Sequence, residues 1–185
     1  IPNSVTSIGF YAFSSCSSLT EILVSSNNEK FSSENGVLYK KDKTTLIKYP
    51  AGKKDTSFTI PNSVTSICEG AFEECNALTS VTIGNSVTFI GDDAFRKCQN
   101  LITVYNYSPL EIVKGSRENG YVAYYADKVI NTPGDAFVGD FVFSTVDDKH
   151  TLVAYLGKAT EITLPDNYNG ENYVIGNDAF KGCSG

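Results

Sequence analysis

The sequence contains no tryptophan and no methionine, and it has one histidine among 185 residues. A single imidazole leaves histidine-based metal sites and nucleophile–base pairs without a second partner. The 15 lysines and arginines are outnumbered by 21 acidic residues, which gives a net charge of −6 and leaves no basic block. The electrostatic footprint of nucleic-acid binding is therefore missing, and we expect no nucleic-acid partner.

Long hydrophobic runs are absent as well. No apolar stretch reaches the roughly 18 residues that a membrane-spanning helix needs, and no charged-then-apolar leader opens the chain. The chain begins at Ile1 rather than Met and stops at Gly185, inside a pattern that runs further in its other copies. We interpret it as a piece of a longer protein, so a leader, an anchor or a catalytic domain would lie outside it.

What the sequence does contain is an internal repeat. IPNSVTSIGFYAFSSCSSLTEILV recurs as IPNSVTSICEGAFEECNALTSVTI and IGNSVTFIGDDAFRKCQNLITVYN, and the last two copies begin 23 residues apart, at Ile60 and Ile83. Alternation at the end of each copy predicts a short strand with one buried face, and the spacing in AFxxC predicts a helical turn. Because one copy cannot bury its own apolar side, we expect the copies to stack into a solenoid.

Longer units interrupt the short repeat. NGVLYKKDKTTLIKYP predicts a hairpin with Asn35-Gly36 as a turn signal and apolar runs on both sides of the polar residues 40–45. DFVFSTVDDKHTLVAYLG has the same pattern. Between these units, SRENGYVAYYADKVI predicts a helix with Ser116 as its cap and Thr132-Pro133-Gly134 as its stop.

These elements divide the chain into three parts. A repeat array is expected over residues 1–106, with the long hairpin-containing coil at 25–59. A helical connector or insertion follows at 107–134. A hairpin unit and a resumed repeat occupy 135–185, where Leu164, Ile175, Ala179, Phe180 and Cys183 take core places.

The repeats resemble the BspA-like leucine-rich repeats. The short form is recognisable in IPxSVTSIGxxAFxxCxxLTxVxI, and the long form resembles FSSENGVLYKKDKTTLIKYPAGK. The resemblance implies an α/β repeat solenoid: a right-handed, leucine-rich-repeat-like superhelix that is β-rich, with short helical turns and inserted β-hairpin units. It also implies a secreted or cell-surface protein that, in some members, is an adhesin. The family has no catalytic motif to carry over to this sequence.

The residues that bear chemistry favour structural roles. Cys16, Cys75, Cys98 and Cys183 each follow a phenylalanine by three positions, which predicts a ladder of buried thiols. The lone His150 aligns with Thr44 in a polar hairpin connection and is expected at the surface. The acidic pairs occupy variable repeat positions, where charge solvates an outer face; they are Glu73-Glu74, Asp92-Asp93 and Asp147-Asp148. We therefore assign no catalytic residue, no metal ligand and no cofactor.

Function is expected on the exposed face of the stacked strands, because a solenoid presents an extended surface rather than a pocket. The alternation predicts a non-catalytic binding module whose partner is a macromolecule, expected to be a host extracellular or surface protein; the outward residues are Glu21, Leu23, Ser80, Thr82, Thr103 and Tyr105. One alternative is a structural spacer in a larger surface protein. Another is a glycan-binding accessory, for which the Tyr105 and Tyr107 region offers the nearest aromatic cluster. Tyr121, Tyr124 and Tyr125 form a second candidate surface, although core packing is the favoured interpretation there.

Overall fold

The computed structural model describes residues 1–9, 11–131, 136–138, 140–146, 149–155, 161–177 and 179–180. By its internal contacts the chain forms two units, Ile1–Asn131 and Thr132–Gly185. Within the described ranges the regular structure is β-strand apart from one 3₁₀ turn at Asn119–Tyr121. The predicted β-rich solenoid is confirmed, whereas the helical share of an α/β class is not, and the handedness of the array stays a prediction.

The first unit contains two sheets, and the copies that begin at Ile60 and Ile83 each contribute one strand to each sheet. The strands are β1 (Phe31–Glu34), β2 (Val37–Lys40), β3 (Thr45–Lys48), β4 (Ser57–Thr59), β5 (Ser66–Ile67), β6 (Ser80–Ile83), β7 (Phe89–Ile90), β8 (Thr103–Asn106) and β9 (Lys128–Asn131). One sheet is all parallel in the order β4-β6-β8-β9. The other has the order β1-β2-β3-β5-β7 and is antiparallel up to β3 and parallel beyond it.

The core lies between these sheets and the turns that join them. Equivalent positions of successive coils carry side chains of the same kind, and these are buried in line with one another. The rings of Tyr49, Phe72 and Phe95 form a stacked column, with centroids 5.2 Å apart for the first pair and 4.5 Å for the second. Repeated aliphatic residues, among them Val81 and Val104, are fully buried beside the column. Stacking thus buries the apolar side that a single copy leaves open.

The AFxxC segments form single hydrogen-bonded turns rather than helices. The Cys75 N–H donates to the Phe72 carbonyl at 3.1 Å, but Glu74 between them has a left-handed backbone with φ of 63°. Lys97 repeats this conformation in the next copy with φ of 60°. A residue at positive φ interrupts the helical path, so the predicted helical turn stops after one hydrogen bond.

The hairpin expected in the long coil is confirmed, and it is part of a three-stranded antiparallel group. Asn35 and Gly36 join β1 to β2 with φ of 50° and 77°, which suits a tight hairpin turn. β2 then pairs with β3 across the polar connection. The first repeat copy hydrogen-bonds to the turn of this hairpin, where the Ile22 N–H donates to the Gly36 carbonyl at 2.8 Å.

The helix predicted in SRENGYVAYYADKVI is wrong. This segment forms the short 3₁₀ turn and then β9, which pairs in parallel with β8, so residues 107–131 extend the first unit. The core positions of the new coil are taken by the buried Val122, Ala123 and Ala126. Stacking on the preceding coil overrides local helix propensity here. The Ser116 hydroxyl still accepts the Glu118 N–H at 3.0 Å, as a cap would, and the predicted stop at 132–134 lies outside the described residues.

The second unit repeats the hairpin group. Its strands are β10 (Ala136–Val138), β11 (Phe141–Val146), β12 (Lys149–Tyr155) and β13 (Tyr173–Ile175), antiparallel up to β12 and parallel from β12 to β13. The Tyr155 N–H donates to the Ala179 carbonyl at 2.8 Å, as Tyr49 does to Ala71 at 2.9 Å, so the predicted equivalence of the two long units is confirmed. Ile175 is exposed, contrary to its predicted core place. The boundaries proposed for the three parts of the chain stay a prediction.

Candidate functional site

The outer side of the β4-β6-β8-β9 sheet presents two rows of side chains in register, which we call the strand face. The first row is Ser57, Ser80, Thr103 and Lys128, and the second is Thr59, Thr82, Tyr105 and Ile130. Alternate residues such as Val81 and Val104 point inward and are fully buried. The structure therefore brings together four of the six predicted face residues, those from β6 and β8.

Glu21 and Leu23 do not join these rows. Neither residue lies in a strand of the described chain, and their segment bonds to the hairpin through Ile22 and through the Val24 N–H, which donates to the Ser33 hydroxyl at 3.0 Å. Leu23 is 64% exposed and Glu21 is also exposed. They therefore lie apart from the rows that contain Ser80, because their segment bonds to the hairpin, and a part for them in binding stays a prediction.

The strand face gains four residues that the sequence analysis missed. Ser57 and Thr59 come from β4, at the end of the long coil. The alternation of polar and apolar residues in SFTI could have predicted this strand. Lys128 and Ile130 come from the segment that had been interpreted as a helix. The face is consequently rich in hydroxyl groups, and of its eight residues Lys128 alone carries a formal charge.

Exposure varies along the face. Ser57, Thr59 and Lys128 are exposed, Ser80, Thr103 and Tyr105 are half-buried, and Thr82 is only 6% exposed. Thr82 lies between Thr59 and Tyr105 in its row, so its neighbours cover it. A partner would contact the exposed residues at the ends of the two rows and the Tyr105 ring, and Thr82 would lie beneath the contact.

Acidic groups on the turn side form local ion pairs. Glu74 accepts from the Lys97 ammonium of the next copy at 2.5 Å, and Asp93 pairs with Arg96 at 3.3 Å. Among the described residues, no cluster of three or more histidine, cysteine or acidic side chains has the arrangement of a metal site. Asp147 and Asp148 lie outside the described residues.

The cysteine ladder is confirmed in part. Cys75 and Cys98 are buried free thiols, and the Cys98 Sγ donates to the Phe72 carbonyl at 3.0 Å. The hydrogen bond with Cys98, together with burial, raises the pKa of the Cys75 thiol. Cys16 is exposed, as is Ala12 in the same turn, so its predicted burial is wrong: this turn is not covered as the turns of the later copies are. Cys183 lies outside the described residues.

His150 is more enclosed than its place in a polar connection predicted. Its side chain is 11% exposed, with Nδ1 2.8 Å from the Thr145 hydroxyl and Nε2 3.3 Å from a Glu171 carboxylate oxygen. The ring also meets Tyr168 edge-on at 4.9 Å. These contacts join β12 to the turn before β13, which is a structural role.

The tyrosines of the segment between β8 and β9 are surface residues rather than core residues. Tyr121, Tyr124 and Tyr125 contact one another edge-to-face, at 5.5 and 4.9 Å, and Arg117 lies 5.8 Å from the Tyr124 ring centre. None of the three is buried. The favoured interpretation as core packing is wrong, because the smaller Val122 and Ala123 fill the core.

The stacked coils, the AFxxC turns and the inserted hairpin group are also features of a known repeat family. Residues 1–55 and 48–116 match the BspA type leucine rich repeat region, in six copies. The chain belongs to this family. BspA-type repeats are generally non-enzymatic, in keeping with the absence of a catalytic motif, and leucine-rich repeat proteins bind macromolecules. No curated protein matches the chain.

Solved structures that resemble the chain include two leucine-rich proteins of bacteria. A leucine rich cell surface protein from Faecalibacterium prausnitzii is 25% identical with a TM-score of 0.50, covering 70% of this chain and 46% of that one. A leucine-rich repeat protein from Eubacterium ventriosum is 26% identical with a TM-score of 0.47, covering 71% and 47%. A pneumococcal vaccine antigen is 19% identical with a TM-score of 0.47, covering 70% and 41%. The BspA-type chain thus spans less than half the length of each structure.

The described part of the chain contains no helix that is long and apolar enough to cross a bilayer.

Proposed function

We propose that this chain is a non-catalytic binding module of a cell-surface or secreted protein, and that it holds a macromolecular partner, a host extracellular or surface protein, on the strand face. The observation that carries the proposal is the pair of registered rows, in which the half-buried Tyr105 ring lies beside the half-buried Thr103 hydroxyl, and β4 adds the exposed hydroxyls of Ser57 and Thr59. Tyrosine offers a large contact area at low entropic cost, and hydroxyls both donate and accept hydrogen bonds. Such a face suits a protein surface better than a nucleic acid, because Lys128 is its only cation.

A cell-surface location is supported by one of the solved structures that the chain resembles. The Faecalibacterium prausnitzii protein is described as a cell surface protein. We infer the same location for the protein that contains this chain. A parallel sheet with fixed row spacing is also a rigid platform, and preorganisation reduces the entropy that a binding surface loses.

Surface plasmon resonance tests the proposal. The whole chain is passed over immobilised extracellular-matrix proteins and mucins, beside a Ser80→Lys, Thr103→Lys, Tyr105→Ala variant. A matched control, Ser63→Lys, Asn85→Lys, Phe89→Ala, adds the same two charges and removes one aromatic ring at exposed positions away from the strand face.

The proposal predicts saturable binding that weakens by about tenfold or more in the strand-face variant, which corresponds to about 1.4 kcal/mol. The control should bind like the parent chain. Equal losses in both variants would place the site elsewhere. No binding to any surface would instead favour a spacer, whose outer residues need no ligand.

A further inference from the structure

A cleft of about 190 Å³ lies between the first repeat copy and the coils that follow the hairpin. The residues Ile8, Phe13 and Ile47 supply apolar walls, and Tyr11 is 63% exposed beside them. The cleft exists because β2, rather than the first copy, pairs with β3. Ala12 of the first copy is exposed as a result, whereas the equivalent Ala71 is fully buried.

Lys48 is the unusual member of the lining. It is 7% exposed, and its ammonium donates to the Gly70 carbonyl at 2.7 Å. Among the described residues it forms no ion pair. An ammonium has three donors, and burying one with few acceptors costs free energy. A ligand that brings oxygen atoms into the cleft would satisfy the remaining donors.

Two carboxylates, Glu69 and Glu73, line the same cleft. The Tyr11 hydroxyl donates to Glu69, and this bond, together with the charge of Glu69, raises the pKa of Tyr11. The lining therefore offers hydrogen-bond acceptors from the carboxylates, donors from Lys48, and the rings of Tyr11 and Phe13 for an apolar surface.

A sugar ring matches this combination. Its hydroxyls donate and accept, so one molecule can satisfy carboxylates and an ammonium together, while its C–H faces pack on aromatic rings. Small anions meet two carboxylates, and small cations meet a buried ammonium, so neither charge is favoured. The volume is below the roughly 300–1,000 Å³ of pockets for drug-sized ligands, which limits the occupant to about one ring.

We propose that this cleft binds a single neutral sugar residue, of the kind that ends a surface or mucin glycan. The site is built on β3 and on the turn after β5, which belong to the other sheet from the strand face. It therefore does not rest on the function proposed for that face. The two sites would allow one module to contact protein and glycan separately.

Saturation-transfer difference NMR on the whole chain tests the proposal, with N-acetyl-D-glucosamine, D-galactose and L-fucose as probes and with benzoate and benzylamine as charged comparators. The variants are Tyr11→Ala and Glu73→Gln, both at positions that solvent reaches. Phe89→Ala and Glu118→Gln are the matched controls, because both residues are exposed and lie outside the cleft lining.

We expect at least one sugar to bind with a millimolar dissociation constant, and each cleft variant to weaken it by about tenfold. The controls and the strand-face variant should bind that sugar like the parent chain. The proposal is overturned if no sugar binds at tens of millimolar, if benzoate or benzylamine binds in place of the sugars, or if the cleft variants bind unchanged. Loss of protein binding in the strand-face variant alone leaves the sugar site standing, so the two proposals fail separately.

Discussion

Replacing Phe72 with alanine would remove the centre of the aromatic column that holds the first unit together. Phe72 is fully buried, and its ring lies 4.5 Å from Phe95 and 5.2 Å from Tyr49. Truncating a buried phenylalanine costs about 3–5 kcal/mol, and each aromatic pair adds about 0.5–1.5 kcal/mol beyond area burial. Because three aromatic pairs are lost, the third with Phe58 at 5.7 Å, we expect the upper end of that range, about 5 kcal/mol.

Urea unfolding followed by far-ultraviolet circular dichroism measures the effect. With a slope of about 1–3 kcal/mol per molar, the midpoint should fall by roughly 2 M or more. The matched control is Phe89→Ala, because Phe89 is 57% exposed and the same atoms are removed. Its stability should change by less than about 0.5 kcal/mol. Equal midpoint shifts in the two variants would refute the view that the buried column stabilises the unit.

Three further outcomes follow from the backbone and the thiols. Gly120→Ala should destabilise the first unit by more than about 1 kcal/mol in the same urea assay, because the new Cβ would lie 2.4 Å from a carbonyl oxygen; Gly115→Ala has positive φ too but open space, and should cost less. Ser15→Gly should raise the free energy of unfolding by up to about 1 kcal/mol, since Ser15 has φ of 57° and glycine adopts this region without a Cβ clash. Iodoacetamide and peptide mapping should label the exposed Cys16 in the native chain and the buried Cys98 only after unfolding; equal rates would contradict the described burial.

The repeat itself was predictable because every copy faces the same physical problem. A coil with one apolar side must bury it on a neighbour, so the positions of Phe72, Cys75 and Val81 follow from comparison of copies within the chain. The hairpin group was also predictable, because Asn35-Gly36 is one of the few pairs that accept positive φ at both positions.

The errors arose where a long-range choice decides the outcome. The first copy has the same motif as the others, yet β2 takes the edge of β3, and no local signal says which segment wins that place. Glu21 and Leu23 lie apart from the strand face because their segment bonds to the hairpin through Ile22 and Val24. The segment before β9 has favourable helix composition, but stacking on β8 overrides it, and the row partners Lys128 and Ile130 were missed.

In the function proposed for the strand face, stability and recognition would use alternate residues of the same strands. In β6 and β8, the inward Val81 and Val104 are fully buried and their replacement would open cavities. The outward Ser80 and Thr103 are half-buried, lie opposite each other in the strand pairing, and do not fill the core. Strands with this alternation let the outer rows change while the inner rows stay constant, because each substitution affects one face. A binding surface on this fold can therefore diverge between relatives with little cost in stability, and this is the physical reason why membership of the family identifies the scaffold and leaves the ligand to be determined by experiment.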